Sequence, residues 1–323
     1  MIYGALMDLS DTTFFVTGGA GFIGSNLVER LLGYGAKVWV YDNLSSGNYS
    51  FLKPFEGSGL FKFVKGDILD FGMLSKTMKE AKPDVVVHLA ANPDVRRGIA
   101  ETKLDLEQGT LATYNVLEAM RLANSKEILF SSSSTVYGDA KVKPTPEHYG
   151  PLKPFSLYGA SKLASEGLIT AYAHLFGFRY YIYRFANVVG KNLTHGVIVD
   201  FAKKLEKNKE ELEVLGNGLQ RKSYIDVEDC VDAMLLVREK SSESEIVNLA
   251  TIGQTPVRRI AEEIVARVAP NAKIRYTGTE QGWPGDIANT WLDNTKMLEL
   301  GVKLRYKTSD EAVLHAIDLV VGK

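Results

Sequence analysis

FFVTGGAGFIG, running from Phe14 to Gly24, is the stretch on which the fold turns. Phe14, Phe15 and Val16 read as a short buried strand, and Gly18, Gly21 and Gly24 follow at Gly-x-x-Gly-x-x-Gly spacing. That order predicts a tight turn from strand into helix, the helix running from about Phe22 to Gly33. Glycines in such a turn let backbone N–H groups approach a pyrophosphate closely, and the helix N-terminus adds partial positive charge. An ordinary turn can carry the same triplet, so the next element has to decide. Lys37 to Tyr41, KVWVY, reads as a second strand, and Asp42 ends it 24 residues after Gly18. A carboxylate there can accept both hydroxyls of an adenosine ribose and would repel a 2′-phosphate. Asn43, Leu44 and Ser45 bring no arginine to neutralise one, so the pattern favours NAD over NADP.

The chain has 323 residues, 45% hydrophobic and 24% charged, enough to bury a sizeable core in one large domain or two modest ones. Its net charge of -1, with Lys and Arg scattered, gives no electrostatic reason to expect nucleic acid or an anionic membrane as partner. Cys230 is the single cysteine and cannot form an internal disulfide, which fits a reducing compartment. No run approaches the length of a membrane helix, and MIYGALMDLSD at the N-terminus lacks the features of a signal peptide, so the expected location is cytoplasmic. His88, His148, His174, His195 and His315 show no zinc-site spacing, and no metal is expected.

Strand and helix patterns then alternate. Phe61 to Val64 reads as strand, Met73 to Ala81 as helix, Asp84 to Leu89 as a buried strand and Gly109 to Ala123 as helix. Ile128 to Ser132 reads as strand, Ser156 to Phe176 as helix and Tyr180 to Arg184 as strand. Near-continuous apolar strands separated by helices indicate an α/β, doubly wound parallel sheet covered on both faces. After Asn187 the texture becomes mixed: a helix from Val197 to Asn208, a strand and turn in ELEVLGNG, and amphipathic helices at Val257 to Val268, Thr295 to Leu300 and Ser309 to Val321. Pro256, Pro270 and Pro284 punctuate this part. It reads as a smaller mixed α/β C-terminal unit for substrate. The division expected is 1–185, with 222–250 returning to it, for the cofactor, and 186–221 with 251–323 for the substrate.

Tyr158-Gly-Ala-Ser-Lys162 carries the chemistry. Tyr158 and Lys162 lie four residues apart in a helical segment, so both side chains project from one face. A free tyrosine titrates at about 10, and a neighbouring ammonium favours the phenolate, as would the positive ring of an oxidised nicotinamide. Tyr158 is therefore expected to be a base. Between the two motifs, Ser131-Ser-Ser-Ser-Thr-Val-Tyr-Gly138 sets hydroxyls at the C-terminal end of a strand, where open α/β sheets hold ligands.

The chain resembles the extended short-chain dehydrogenase/reductases, and among them the NAD-dependent nucleotide-sugar epimerases and dehydratases, over nearly its whole length. The resemblance rests on TGGAGFIGSN from Thr17, YDNLSSG from Tyr41, GDILD from Gly66, HLAA from His88, SSSSTVYG from Ser131, YGASK from Tyr158 and RFANVVG from Arg184. It is strongest to the UDP-glucose (UDP-galactose) 4-epimerases, which carry SSSATVYG at the serine run. The resemblance implies a Rossmann-type fold with tightly held NAD. It makes Tyr158 the catalytic base, Lys162 the residue that lowers its pKa and holds the nicotinamide ribose, and Ser133, with Thr135, the partner of the reacting sugar hydroxyl. Gly18, Gly21 and Gly24, with the N–H groups of Phe22 and Ile23, would cradle the NAD pyrophosphate. Asp42 and Asn43 would hold the adenosine ribose and Asp67 and Ile68 flank adenine, while Leu89, Ala90 and Ala91 would line the same cleft. On the substrate side it implies Asn187 at the nucleotide-sugar phosphates, Leu215 against uracil, and Lys222 in place of a phosphate-binding arginine.

The implied reaction is interconversion of C4 epimers of a UDP-sugar through a transient 4-keto sugar. Two departures stand out: Trp283 occupies the position of an arginine that contacts the diphosphate in many relatives, and His195 stands where an asparagine often meets the substrate. Ser134 and Thr135 replace the Asp-Glu pair of 4,6-dehydratases, which argues against that activity. A 5,6-dehydratase or a UDP-glucuronate decarboxylase remains the alternative, and retention of Tyr158, Lys162 and Ser133 argues against a non-enzymatic nucleotide-sensing regulator. The resemblance also implies a homodimer through a four-helix bundle of the Gly109 to Ala123 and Ser156 to Phe176 helices, with Leu117, Met120, Leu163 and Leu168 as candidates for its buried positions.

Overall fold

The computed structural model describes residues 7–279, 282–283 and 285–322. Pro284 and the first six residues of the N-terminal segment lie outside them. Seven strands form one fully parallel sheet. From one edge to the other they are Glu245–Leu249, Arg179–Phe185, Glu127–Ser133, Val85–His88, Thr13–Thr17, Lys37–Asp42 and Phe61–Lys65. The chain steps outward from the central Thr13–Thr17 strand to Phe61–Lys65, then crosses back to Val85–His88 on the other side. The order reverses beside Thr13–Thr17, and the crevice at the C-terminal ends of strands flanking such a reversal is where α/β sheets bind ligands.

The apolar runs are explained by burial on both faces. Phe14 and Val16 join the core on one face with Leu27, Leu31 and Met234, while Phe15 turns to the other with Leu74, Met78 and Val116. All four residues of Val85–His88 are buried. Helix starts follow local chemistry: Asp70 accepts from Met73 N at the head of Phe71–Ala81, and Ser156 accepts from Gly159 N at the head of Leu157–Phe176. Leu157–Phe176 ends at Gly177 in the left-handed region, φ 69°.

The expected helix from Gly109 is two pieces, a π-helical turn at Leu106–Leu111 running into an α-helix at Ala112–Ala123. Gly109 packs there against Ser161, so closely that a Cβ would lie 2.5 Å from the Ser161 hydroxyl. Leu117 and Met120 are fully buried against the chain's own sheet and are not free to face a partner, while Leu168 packs on the same core only partly buried. Leu163 packs on the opposite core.

Beyond Phe185 a third core gathers Ile198, Phe201, Leu205, Ile260, Ile264 and Ile317. Short strands tie this region together: Asn187–Val189 pairs with Tyr224–Asp226, and Arg221–Lys222 lies between Thr255–Pro256 and Asn289–Thr290. Among the described residues no helix is long and apolar enough to cross a membrane, and no group of His, Cys, Asp and Glu could hold a metal ion.

Candidate active site

The glycine turn forms a cradle that only glycine permits. Gly18 sits at φ 71°, and a Cβ on it would lie 2.7 Å from Ala90 N. A Cβ on Gly24 would lie 2.2 Å from the Gly18 carbonyl oxygen. No side chain among the described residues caps the Phe22–Gly33 helix, whose first N–H groups have no intrahelical acceptor. Uncapped N–H donors above a floor of backbone are a ready site for a pyrophosphate. Leu89, Ala90 and Ala91 continue from Val85–His88 and form the neighbouring wall at Gly18.

Asp42 is buried at the end of its strand, where its two oxygens accept from Ala20 N at 2.9 Å and Leu44 N at 2.8 Å. Burial raises its pKa and these two N–H groups pull it back down. Each oxygen keeps a lone pair for a ribose hydroxyl. Asn43 donates to Asp67 at 3.0 Å, and Ile68, its carbonyl held by Asn115 Nδ2 at 3.0 Å, is buried next to it. The residues expected at the adenosine end thus lie together.

Tyr158 and Lys162 sit one turn apart, with Lys162 Nζ 5.7 Å from the Tyr158 ring centre. The Ser133 hydroxyl lies against Tyr158 and favours its ionised form, and Ser133 itself accepts from Thr135 N at 3.2 Å and Thr135 Oγ1 at 3.0 Å. Lys162 is buried, and Nζ donates to the Ser131 carbonyl at 2.6 Å over the Phe130 ring. Burial lowers its pKa to about 8, against the pull of Glu166 and Asp105.

Tyr158 keeps part of its surface open, yet desolvation first and Asp105 second push its pKa up to about 12, with Ser133 acting the other way. Burial disfavours the charged form of both members of the pair, the phenolate of Tyr158 and the ammonium of Lys162.

Behind the pair, residues that sequence reasoning passed over hold the helix in place. Glu166, one turn beyond Lys162, takes a bidentate grip from Arg184 at 3.0 and 2.7 Å and a hydrogen bond from Ser132 at 2.5 Å, all buried. Arg184 also donates to the Tyr137 hydroxyl at 3.0 Å. His88, fully enclosed between the hydroxyls of Thr17 at 2.8 Å and Thr113 at 3.1 Å, is kept neutral, its pKa lowered to about 3 by burial and by Lys162. The i+4 spacing of Glu166 from Lys162 was available in the sequence; the partners of both His88 and Glu166 were not.

The substrate-side residues are less convergent. Asn187 is exposed, with its backbone N–H on the Ser223 carbonyl at 3.0 Å, and Leu215 is exposed at 38%. Lys222 does not offer a free charge: its ammonium is paired with buried Asp286. The Trp283 carbonyl accepts from the Asp286 backbone N–H at 3.0 Å, which sets Trp283 next to the partner of Lys222. His195 stands edge-on to Phe22 at 6.5 Å, beside the glycine cradle, its pKa held down by desolvation with Asp94 opposing.

The family model for the NAD dependent epimerase/dehydratase family matches residues 14–250. A UDP-glucose 4-epimerase of Mycolicibacterium smegmatis is 33% identical over 290 residues, 88% of this chain and 91% of the relative. A crystal structure of a UDP-galactose 4-epimerase superposes with a TM-score of 0.85 at 39% identity, covering 96% of this chain and 99% of that one. The Thermotoga maritima UDP-glucose 4-epimerase with UDP-glucose gives 0.86 at 30% identity, covering 95% and 98%. Relatives at 30% identity also include proteins named as a dTDP-glucose 4,6-dehydratase and a UDP-N-acetyl-alpha-D-glucosaminuronate decarboxylase.

Proposed function

The chain belongs to the NAD-dependent epimerase/dehydratase family, with NAD as its cofactor, and from that premise we propose that it is a UDP-sugar 4-epimerase. The observation that carries this reading is the Ser133, Thr135 and Tyr158 group: a base with hydroxyl partners and no carboxylic acid at 134 or 135 to expel a leaving group. Such a group suits removal and return of one proton at a sugar hydroxyl and does not suit elimination across C5 and C6 in the 4,6-dehydratase manner.

NAD, when bound, supplies the acceptor and donor of the hydrogen at C4. The chain's residues do the rest. Tyr158 takes the proton from O4 as the alcohol becomes a ketone and returns it when the other C4 alcohol forms. Ser133 shares that proton and fixes the direction of O4, itself aligned by the two donors of Thr135. Lys162 serves the same helix face, and Gly18, Gly21, Gly24, Phe22 and Ile23 hold the pyrophosphate with Asp42 and Asn43 on the ribose. Residues 186–221 and 251–323 supply the nucleotide-sugar side, with Asn187, Leu215, His195 and Trp283 as contacts and Lys222 joining them from the segment that returns to the cofactor unit. Because Lys222 is shared with Asp286, the diphosphate has to compete for it or be met by neighbours. A tight hold on the nucleotide with a loose hold on the sugar allows the ketone to turn over between the two half-reactions.

The reading extends to a cytoplasmic homodimer. Leu111, Tyr114, Leu122, Leu175 and Phe176 expose apolar surface on the two helices that would pair, and they replace the buried Leu117 and Met120 as the contact residues. Light scattering of the purified protein at twice the chain mass supports it, and a monomer sinks it.

The test of activity is proton NMR of the protein with UDP-glucose, UDP-N-acetylglucosamine and UDP-glucuronate in turn, with no added reductant. The C4 epimer of one of them is the expected product and names the sugar. Olefinic protons or a pentose product would overturn the epimerase reading in favour of 5,6-dehydration or decarboxylation, and no turnover with NAD bound would favour a regulator.

A further inference from the structure

The segment GKNLTHG, Gly190 to Gly196, joins the short strand Asn187–Val189 to the helix Val197–Lys207, and on its way it lies along the cradle helix Phe22–Gly33. Asn26, 6% exposed, donates from Nδ2 to the Lys191 carbonyl at 2.9 Å. Asn192 donates from its own Nδ2 to the hydroxyl of buried Ser25 at 3.1 Å. Lys191 and Glu29 pair at 2.6 Å on the outside, each about half exposed. His195 stands edge-on to the Phe22 ring at 6.5 Å. Phe22, Ser25, Asn26 and Glu29 are positions i, i+3, i+4 and i+7, so a single stripe of the helix carries all of these contacts.

The two ends of the segment are fixed differently. Gly190 sits at φ 126°, and a Cβ on it would lie 2.7 Å from Asp226 Oδ2, part of a fully buried carboxylate that also meets Glu228 N and His315 Nδ1. That end is rooted by backbone packing. Gly196 sits at φ 94°, where a Cβ would meet nothing within 4 Å, and the helix after it starts without a side-chain cap. Between them Leu193 packs both on the core that holds Phe14 and Val16 and on the third core. The end that carries His195 is therefore placed by Leu193 and by side chains of the cradle helix. One rigid helix serves both sides of the cleft: its first N–H groups are the ones proposed for the pyrophosphate, and its Phe22 to Glu29 stripe holds the segment proposed for the nucleotide sugar.

Given the nucleotide-sugar reading on which this rests, we infer that Asn26 and Asn192 are positioning residues that lock the segment 190–196 to the cradle helix, so that the nucleotide sugar is received at a fixed offset from the cofactor. Neither makes or breaks a bond in the reaction. Both act through His195 and the start of Val197–Lys207. A nucleotide that meets the segment already in place is spared the cost of ordering it, and a segment that is only part of the time in place weakens binding by that fraction.

The test is calorimetric titration of UDP into the NAD-loaded protein. Asn26→Leu keeps a side chain of similar size and removes the donor to Lys191, and Asn192→Gly removes the donor to Ser25 while suiting the left-handed backbone, φ 66° at this position. Each should weaken UDP binding by about threefold to tenfold, the worth of one hydrogen bond. Because the two bonds secure one segment, the double variant should lose no more than about twofold beyond the weaker of the single ones. Glu29→Gln gives up only an exposed ion pair and should bind UDP within about twofold of wild type. NAD affinity of cofactor-stripped Asn192→Gly should likewise stay within about twofold, since the cradle itself is untouched. UDP affinity unmoved in both single variants, losses that multiply in the double variant, or NAD affinity that falls in Asn192→Gly as far as UDP affinity does would each overturn the inference and leave the two asparagines as packing. Failure of the nucleotide-sugar reading looks different: the wild type would bind NAD and no UDP, and the inference would fall with that reading.

Discussion

Gly24→Ala probes the cofactor cradle directly. An alanine Cβ at 24 would lie 2.2 Å from the Gly18 carbonyl oxygen and 2.7 Å from Gly19 Cα. Real side-chain carbons essentially never come within 3.0 Å of such atoms, so the turn and the first helical residues must part by at least about 0.8 Å. Neither obstructing atom belongs to a side chain that could swing aside. Gly18 is closely backed by Ala90 N, so the displacement falls on the N–H groups of Phe22 and Ile23 proposed to face the pyrophosphate. Overpacking of this kind costs about 1–3 kcal/mol. If that strain is relieved by opening the cradle, NAD affinity falls by about tenfold to a hundredfold, at 1.4 kcal/mol per decade. Gly33→Ala is the matched control in the last turn of the same helix, where a Cβ meets nothing within 4 Å. It should leave NAD affinity alone and stabilise the fold by about 0.4–1 kcal/mol. Calorimetric titration of NAD into cofactor-stripped protein, with urea unfolding of both variants, reads the two effects separately. Gly24→Ala binding NAD within about twofold of wild type would refute the geometry argued for the cradle.

Further outcomes follow from the site. Tyr158→Phe should keep NAD binding and reduce turnover by about two to four orders of magnitude in the NMR assay, and Ser133→Ala should cost less; near-wild-type turnover in Tyr158→Phe would remove the base assignment. Glu166→Gln leaves the buried Arg184 guanidinium without its counter-charge and should cost about 3–5 kcal/mol in urea unfolding, whereas a loss below about 1 kcal/mol would mean the pair is not holding the helix. His88 is neutral in the folded protein, with its pKa lowered to about 3 from the usual 6.5 of a free imidazole, so the unfolded chain binds the extra proton in between. Stability from this group is therefore intact above pH about 6.5 and falls as pH drops toward 3, by up to about 1.4 kcal/mol per unit. Unfolding midpoints measured down that range should show a shallower decline in His88→Asn, and identical slopes would place the acid sensitivity elsewhere.

The parts of this protein that were legible in its sequence are those whose physics is local. Three glycines at fixed spacing dictate a turn that only glycine can make, because the clash at Gly24 is with backbone a few residues away. Tyr158 and Lys162 share a helix face because four residues make about one turn, and Asp70 and Ser156 mark helix starts because their side chains reach N–H groups three residues on. The alternation of apolar strands and helices was likewise enough for a parallel sheet covered on both faces. What the tertiary structure alone decided is the electrostatic state of the site and the facing of its helices. Lys162 is an effective ammonium or a weak one according to what buries it, and Ser131 and Phe130 from a neighbouring strand set that balance. Tyr158 is raised first by its burial and then by Asp105, some fifty residues earlier, and Lys222 is engaged because Asp286 comes round to meet it. Leu117 is fully buried and Leu111 exposed, a facing seen only once the expected helix resolves into a π-helical turn and the α-helix that follows. Desolvation and Coulomb interactions depend on distance through space, and sequence separation carries no record of it.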